Sequence, residues 1–286
     1  MGFRGGRVRP AFALLRAALC RGTCVLVAGT AALVGTGGGP GADRARGTAA
    51  PVPAPQHRAL AGSEDHTRPL VLPALYRVGA LLPPGGGGHG HCTAGVVDSP
   101  HRNLLITAAH CVYDGPGSDY RAGLDFSPGN GTGHGPAGLW QMRAAVMDPG
   151  WTSGADPDLD VAFVILRPRA GRDIQDLAGG NPLGFGRRSG RVGLIGYPSA
   201  AGAAHTCVGQ AHPLGGHQLW IYCPDFTSGT SGTPWLAGAD ADSTGSGTLI
   251  GVLGGREHGG ATADISYSSY FGAEIAALYR RAVAAS

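Results

Sequence analysis

The sequence predicts an all-β fold with two sheets, each closed on itself, followed by one C-terminal helix. Three observations lead to this prediction. Short apolar runs recur along most of the chain after residue 70. Glycine and proline, at 52 and 21 of 286 residues, are spread between these runs. Helical spacing of apolar residues is clear only near the C-terminus, so short strands joined by many turns are expected elsewhere.

Residues 1–50 have the pattern of an export signal. An arginine-containing front is followed by an apolar segment and then by small residues that offer a cleavage site. An uncleaved membrane anchor is the alternative, because residues 22–42 carry no charge over about the length of a membrane span. Residues 51–69 are rich in proline, alanine and polar residues, and are expected to be a linker or propeptide. The folded domain is predicted over residues 70–286, in an exported or membrane-anchored protein.

The predicted strands divide into two halves, about 70–175 and 190–268. Those of the first half cover residues 76–82, 91–97, 104–108, 139–147 and 161–166, with a loop-rich insertion at 115–138. Residues 167–191 are expected to connect the halves. Strands of the second half are predicted at 192–197, 205–210, 219–222 and 249–253. Ile275, Leu278 and Tyr279 lie at helical spacing, which predicts a helix over residues 270–284.

Composition argues against several classes of partner. The chain has 22 basic and 19 acidic residues and a net charge of +3, without a basic run in the predicted domain. Nucleic acid is therefore not expected as a partner, nor is an anionic membrane surface.

Four of the six cysteines lie in the predicted domain, and an even number in an exported chain favours disulfides. Cys92 and Cys111 flank a predicted strand pair, while Cys207 and Cys223 bracket later strands. The pairings Cys92–Cys111 and Cys207–Cys223 are therefore predicted. His89 and His91 beside Cys92 could suggest zinc, but no second ligand cluster has suitable spacing, so no metal site is predicted.

Three short segments carry residue types suited to nucleophilic catalysis. In residues 227–234, Gly229 and Gly232 allow the backbone to turn tightly around Ser231 and bring N–H groups near a substrate carbonyl. Such a segment alone is more typical of a surface turn. Upstream, however, an apolar run ends in His110, and an acidic pair, Asp158 and Asp160, precedes a second apolar run. A serine, a base and an acidic residue that orients the base form a nucleophilic site.

These segments, in the order His, Asp, Ser, resemble the three motifs of the chymotrypsin-fold serine peptidases. Residues 107–111, 160–164 and 229–234 carry the resemblance. The most similar subgroup is the bacterial secreted enzymes related to glutamyl endopeptidases. The resemblance implies two six-stranded antiparallel β-barrels with a cleft between them. It also implies that Ser231 is the nucleophile, His110 the base and Asp160 the residue that orients it.

The resemblance further implies the binding groups. The backbone N–H groups of Gly229 and Ser231 are expected to form the oxyanion hole. Substrate backbone is expected to pair with the strand edge at Leu253, Gly254 and Gly255. Asp158 remains an alternative to Asp160 as the third member of the triad.

The chain departs from the family pattern at informative positions. Thr230 stands where many members have the aspartate that receives a new N-terminus, so that activation switch is absent. Leu253 stands where glutamyl-specific members have histidine, which argues against acidic specificity.

Asp225, six residues before Ser231, is expected at the base of the specificity pocket, where it would select arginine. A simple turn residue is the alternative for Asp225.

The function predicted from the sequence is that of a secreted serine endopeptidase acting on peptides or proteins through an acyl-enzyme. No cofactor is expected, and the protein is expected to be a monomer. The alternative is a catalytically inactive binding module that keeps the protease fold.

Overall fold

The computed structural model describes residues 75–286, except for residues 89, 134, 239–243 and 261. The predicted export signal and linker lie outside the described residues, as does His89 of the zinc hypothesis. Within the described part of the chain, no helix combines the length and apolar character needed to cross a membrane.

The first half of the domain is a closed antiparallel barrel. Its strands are β1 (Val78–Leu82), β2 (Cys92–Val96), β3 (Leu104–Thr107), β4 (Asp125–Pro128), β5 (Trp140–Met147) and β6 (Ala162–Leu166). They pair in the order β1-β2-β3-β6-β5-β4. Strands β1, β2, β3 and β6 are buried along their whole length. Burial on both faces explains why their sequences are mostly apolar and carry no charged residue.

The second half is another six-stranded antiparallel sheet. Its strands are β7 (Gly190–Gly196), β8 (His205–Leu214), β9 (Gln218–Tyr222), β10 (Pro234–Ala237), β11 (Thr248–Val252) and β12 (Ile265–Ser269). They pair in the order β11-β10-β7-β8-β9-β12. The two edge strands approach each other, because Gly254 N donates to Tyr267 O at 3.0 Å and Val252 N donates to Ser268 Oγ at 2.9 Å. The sheet therefore curls into a second barrel-like layer.

The α-helices given in full by the described residues are α1 (Pro149–Gly154), α2 (Ile174–Ala178) and α3 (Ala273–Ala285). Helix α3 buries Ile275, Leu278 and Ala282. These side chains join a core cluster that also contains Phe163 of β6. The predicted C-terminal helix is thus confirmed, although it begins three residues later than expected.

One core cluster contains residues from both sheets. Phe163 and Leu104 contribute from the first barrel, and Ile195, Leu236 and Val252 from the second. This shared apolar core fixes the two sheets against each other, so the loops at their boundary are held on a rigid base. The predicted all-β architecture of two six-stranded antiparallel layers with a terminal helix is confirmed.

Both predicted disulfides are confirmed. Cys92 joins Cys111 across 19 residues, and Cys207 joins Cys223 across 16. The side chains of Cys92, Cys111 and His110 lie close enough to hold a metal ion. Because both sulfur atoms are consumed by the disulfide, thiolate ligation is not available at that place.

We expect a double replacement of Cys207 and Cys223 by alanine to lower the free energy of unfolding by about 3 kcal/mol. The reason is that the bridge closes a loop of 16 residues and restricts the unfolded chain. Urea denaturation of the variant and the parent measures the difference. Equal unfolding free energies would show that this disulfide does not stabilise the domain.

Candidate active site

Strand pairing brings His110 next to Asp160. His110 lies in the 3-10 turn Ala109–Cys111 that follows β3, and Asp160 ends the turn that precedes β6. Strands β3 and β6 are antiparallel neighbours, with Thr107 opposite Ala162. The end of β3 therefore lies beside the start of β6. The disulfide from Cys111 to β2 ties the histidine turn to the barrel.

The Asp160 carboxylate is fully buried and accepts three hydrogen bonds. His110 Nδ1 lies 2.7 Å from Oδ2, the His110 amide donates to Oδ1 at 2.9 Å, and the Gly255 amide donates to Oδ2 at 2.7 Å. Burial alone would raise the pKa of Asp160. The adjacent His110 and the hydrogen bonds outweigh burial and hold that pKa below its usual range. The ionised carboxylate can only accept, so the proton of neutral His110 is on Nδ1 and Nε2 is free to take a proton.

The neighbouring acidic residues do not contact His110. Asp158 accepts a hydrogen bond from Gln218 Nε2 at 2.8 Å. Asp156 accepts from the Asp158 amide at 3.0 Å, which shapes the turn before β6. Of the candidates in the sequence, Asp160 is the one that the structure brings to the histidine.

The loop that carries Ser231 is fixed to both sheets. The Thr93 amide of β2 donates to Ser231 O at 2.7 Å, and Thr93 Oγ1 donates to Gly229 O at 3.0 Å. The Gly232 amide donates to Leu253 O at 2.6 Å, just after β11. Thr93 directly follows Cys92, which forms a disulfide with Cys111, the residue after His110. These contacts place the serine loop at the boundary between the sheets, beside the histidine turn.

Ser231 Oγ makes no hydrogen bond to His110 among the described residues. The serine loop nevertheless packs against the segment before His110, because a Cβ atom added at Gly232 would lie 3.1 Å from Ala108 N. Ser231 lines a cavity together with His258, and the His258 ring lies edge-on to the His110 ring with 5.3 Å between centroids. Catalytic hydrogen bonds are often long without substrate and shorten when it binds. The arrangement is compatible with a serine–histidine pair.

The unpaired backbone amides of this loop, within the described part of the chain, include those of Gly229 and Ser231. Gly229 has φ of 94°, a left-handed value that glycine adopts readily. A Cβ atom there would collide with Ser199 and with Tyr197 O. Free N–H groups on a rigid turn are the type of donor that stabilises an oxyanion.

We expect Gly232→Ala to lower both stability and activity. Gly232 has φ of 82°, and a Cβ atom would collide with Thr107 Oγ1 and Thr93 O. The strained backbone alone costs about 1–3 kcal/mol. Gly216 is the control position, because an added Cβ atom meets nothing within 4 Å there. Thermal unfolding compares the two variants, and equal stability would contradict the close packing of the serine loop.

The cavity beside Ser231 has a volume of about 430 Å³. Phe226, Leu253, Thr262 and Ala263 are among its lining residues. Asp225 is not one of them. This lining gives no support to the expectation that Asp225 forms the base of the specificity pocket, which stays a prediction.

Asp225 is exposed and has φ of 63°, and its carbonyl accepts a hydrogen bond from the Thr227 amide at 3.0 Å. This conformation is that of a turn residue, which was the alternative interpretation. The arginine preference inferred from Asp225 stays a prediction as well.

The expected pairing of substrate with residues 253–255 is restricted by internal hydrogen bonds. The Leu253 amide donates to Thr233 O, the Gly254 amide to Tyr267 O and the Gly255 amide to Asp160. A substrate strand can therefore use only carbonyl oxygens of this segment without breaking native hydrogen bonds. Leu253 also lines the cavity beside Ser231, so its side chain is placed to contact substrate.

Sequence reasoning missed three residues near the site. Glu257 and His258 line the cavity beside Ser231 and have left-handed φ values of 52° and 53°. His258 Nδ1 also lies 3.8 Å from Asp114 Oδ1. Arg121 donates to His110 O at 2.6 Å. No local sequence pattern marks these residues, because they reach the site through the course of their loops.

Comparison with known structures finds similar proteins. The chain is similar to the thermostable serine protease AL20 from an extremophilic microorganism, with a TM-score of 0.64 and 26% identity over 75% of this chain and 100% of that one. The protease Anisep from Arthrobacter nicotinovorans gives the same score and identity, over 75% and 98% of the chains.

A Glu endopeptidase has a TM-score of 0.58 and 20% identity, over 73% of this chain and 91% of that one, a likeness that shows the fold alone. No protein-family model matches the sequence, and no curated protein matches it.

Proposed function

We propose that this chain, which has the chymotrypsin fold and is related in structure to bacterial serine proteases, is a secreted serine endopeptidase. The observation that carries the proposal is the buried Asp160 carboxylate, which binds both the amide and Nδ1 of His110. Beside this pair lies the loop of Ser231, in which the amides of Gly229 and of Ser231 itself are unpaired among the described residues. A binding module without catalysis would have no use for a buried charge that orients a histidine.

In the first step, Ser231 Oγ attacks the carbonyl carbon of the scissile peptide bond. His110 Nε2 takes the hydroxyl proton as the new C–O bond forms. The carbonyl oxygen becomes negatively charged, and the amides of Gly229 and Ser231 bind it. The imidazolium formed at this point is stabilised by the Asp160 carboxylate.

In the second step, the C–N bond breaks and His110 donates its proton to the leaving amine. The acyl group remains on Ser231. A water molecule then gives a proton to His110 and attacks the ester carbon. Collapse of this second intermediate returns the proton to Ser231 Oγ and releases the acid product. The chain's own residues carry every proton, so the mechanism needs no cofactor.

Export follows from the same proposal. Two disulfides stabilise the domain, and such bonds persist in oxidising compartments outside the cytosol. Together with the signal pattern in residues 1–50, they support an extracellular enzyme acting on peptide or protein substrates. We propose a monomer, since the proposed catalytic residues all come from one chain.

The test is hydrolysis of a denatured protein by the purified chain, with the fragments identified by mass spectrometry. We expect cleavage at internal peptide bonds. Binding of the protein substrate without any cleavage would support the alternative, a protease-fold binding module.

A further inference from the structure

A second, larger cavity lies near the histidine turn, separate from the cavity that contains Ser231. Its volume is about 740 Å³. Its lining residues include Pro83, Pro84, Tyr120, Leu124, His91 and Arg121, and none of its lining residues lines the other cavity. The Ser199 amide donates to Ser228 O at 2.8 Å, and each of these serines lines one of the two cavities. The backbone of the serine loop therefore separates them.

The larger cavity is connected directly to the histidine turn. Arg121, in its lining, donates from Nη1 to His110 O at 2.6 Å. Consider a substrate whose residue before the cleaved bond occupies the smaller cavity. As this substrate passes Ser231, the part that follows the cleaved bond would extend toward the larger cavity. Apolar surface of the two prolines, Tyr120 and Leu124 offers contact area for a side chain there.

The charge of this cavity comes from Arg121. No acidic residue lines the cavity, and Arg121 forms no ion pair among the described residues. Burial, followed by the charges of Arg121 and His110, lowers the pKa of His91, so His91 is neutral near pH 7. The Asp114 carboxylate, which acts to raise the pKa of His91, is not part of the lining. A guanidinium with spare donors in an apolar cavity favours a carboxylate ligand.

We propose that this cavity binds the leaving-group half of the substrate and selects an apolar residue followed by a carboxylate, with Arg121 as the specificity-determining residue. The carboxylate belongs either to an acidic side chain or to the free end of a peptide. This inference rests on the proposed function and adds the substrate class on one side of the cleaved bond.

The test uses internally quenched peptides that are identical up to the cleaved bond. After that bond they carry leucine and then aspartate, asparagine or lysine, with an amidated C-terminus. A fourth peptide has asparagine and a free terminal carboxylate, which distinguishes the two sources of negative charge. We expect kcat/KM to be about fivefold higher for aspartate than for asparagine, and lowest for lysine. The preference should shrink at high salt.

Variants separate this inference from the proposed function. Arg121→Glu should reverse the order of aspartate and lysine, and Arg121→Gln should abolish the preference. Ratios between peptides are compared because Arg121 also contacts His110 O, so absolute rates will fall. Arg191→Glu is the control. Arg191 is exposed at the start of β7, whereas Ser199 of the cavity lining lies beyond the other end of that strand, and Arg191 does not line the cavity.

If Arg121→Glu kept the parent's order of kcat/KM for the aspartate and lysine peptides, the inference would be overturned and the proposed function would stand. Failure of the parent to cleave any of the four peptides or a denatured protein would overturn both.

Discussion

Ser231→Ala is expected to lower kcat for peptide hydrolysis about a millionfold, because Ser231 Oγ is the atom that forms the acyl bond. Stability should stay unchanged. The loop is held through the Ser231 carbonyl, which accepts from the Thr93 amide, and alanine keeps that carbonyl. Steady-state kinetics and urea denaturation measure the two quantities on the same preparations.

Ser228→Ala is the matched control for this variant. Ser228 lies in the same loop and lines the same cavity, but it has no part in the proposed chemistry. Its kcat should remain within tenfold of the parent value. If Ser231→Ala retained activity in that range, another nucleophile would have to be found.

Asp160→Asn is expected to have the second largest effect, lowering kcat by about ten-thousandfold. The carboxylate accepts from the His110 amide, His110 Nδ1 and the Gly255 amide. Asparagine keeps one acceptor oxygen and has an NH2 group in place of the other. That NH2 group would face at least one of these N–H donors, so His110 would lose its orientation. Stability should also fall, by about 1–3 kcal/mol, because a buried donor is left unpaired.

Asp158→Asn provides the comparison for this replacement. Asp158 is the alternative acidic residue from the sequence, and it contacts Gln218. Only a small change in kcat is expected from it. A larger loss from Asp158→Asn than from Asp160→Asn would reassign the orienting role.

The pH dependence of stability follows from the lowered pKa of Asp160. The folded-state pKa lies below the unfolded value of about 3.9. Asp160 therefore contributes stability that is fully present above that unfolded value and is lost as the pH falls through the folded pKa. We expect the parent to lose more stability than Asp160→Asn when the pH is lowered through this window. Parallel denaturation curves of the two proteins would contradict the assignment.

The proximity of His110 and Asp160 could be predicted from the sequence, because both residues lie beside apolar strands that are easy to recognise. His110 and Asp160 each lie next to a buried apolar strand, and the pairing of β3 with β6 brings them together. The disulfides followed from cysteines that flank strand pairs. These features depend on local pattern and on neighbouring elements, so they could be recognised without coordinates.

The sequence did not predict elements whose residues are individually weak strand or helix formers. Strand β12 contains three serines, all of them buried, and it forms because it pairs with β9. Strand β4, with the sequence Asp-Phe-Ser-Pro, lies inside the expected insertion and pairs with β1. Strand β10 and the short helices α1 and α2 were missed as well. In the strands, tertiary pairing outweighs local propensity.

Specificity residues could not be located from sequence distance alone. Asp225 has the expected offset from Ser231, but its left-handed backbone places it in an exposed turn. Arg121 and His258 reach the site from loops whose course depends on the whole fold. Offset along a chain gives the position of a residue only where the backbone conformation is known.

The most direct test of the central proposal is labelling with a fluorophosphonate, which phosphonylates a serine only when that serine is activated as a nucleophile. Intact-mass and peptide mass spectrometry of the labelled protein would identify the modified residue. We expect one phosphonyl group per chain, on Ser231, and none in a His110→Ala variant. Absence of label from the folded parent, or label on a different residue, would contradict the assignment of Ser231 as the nucleophile.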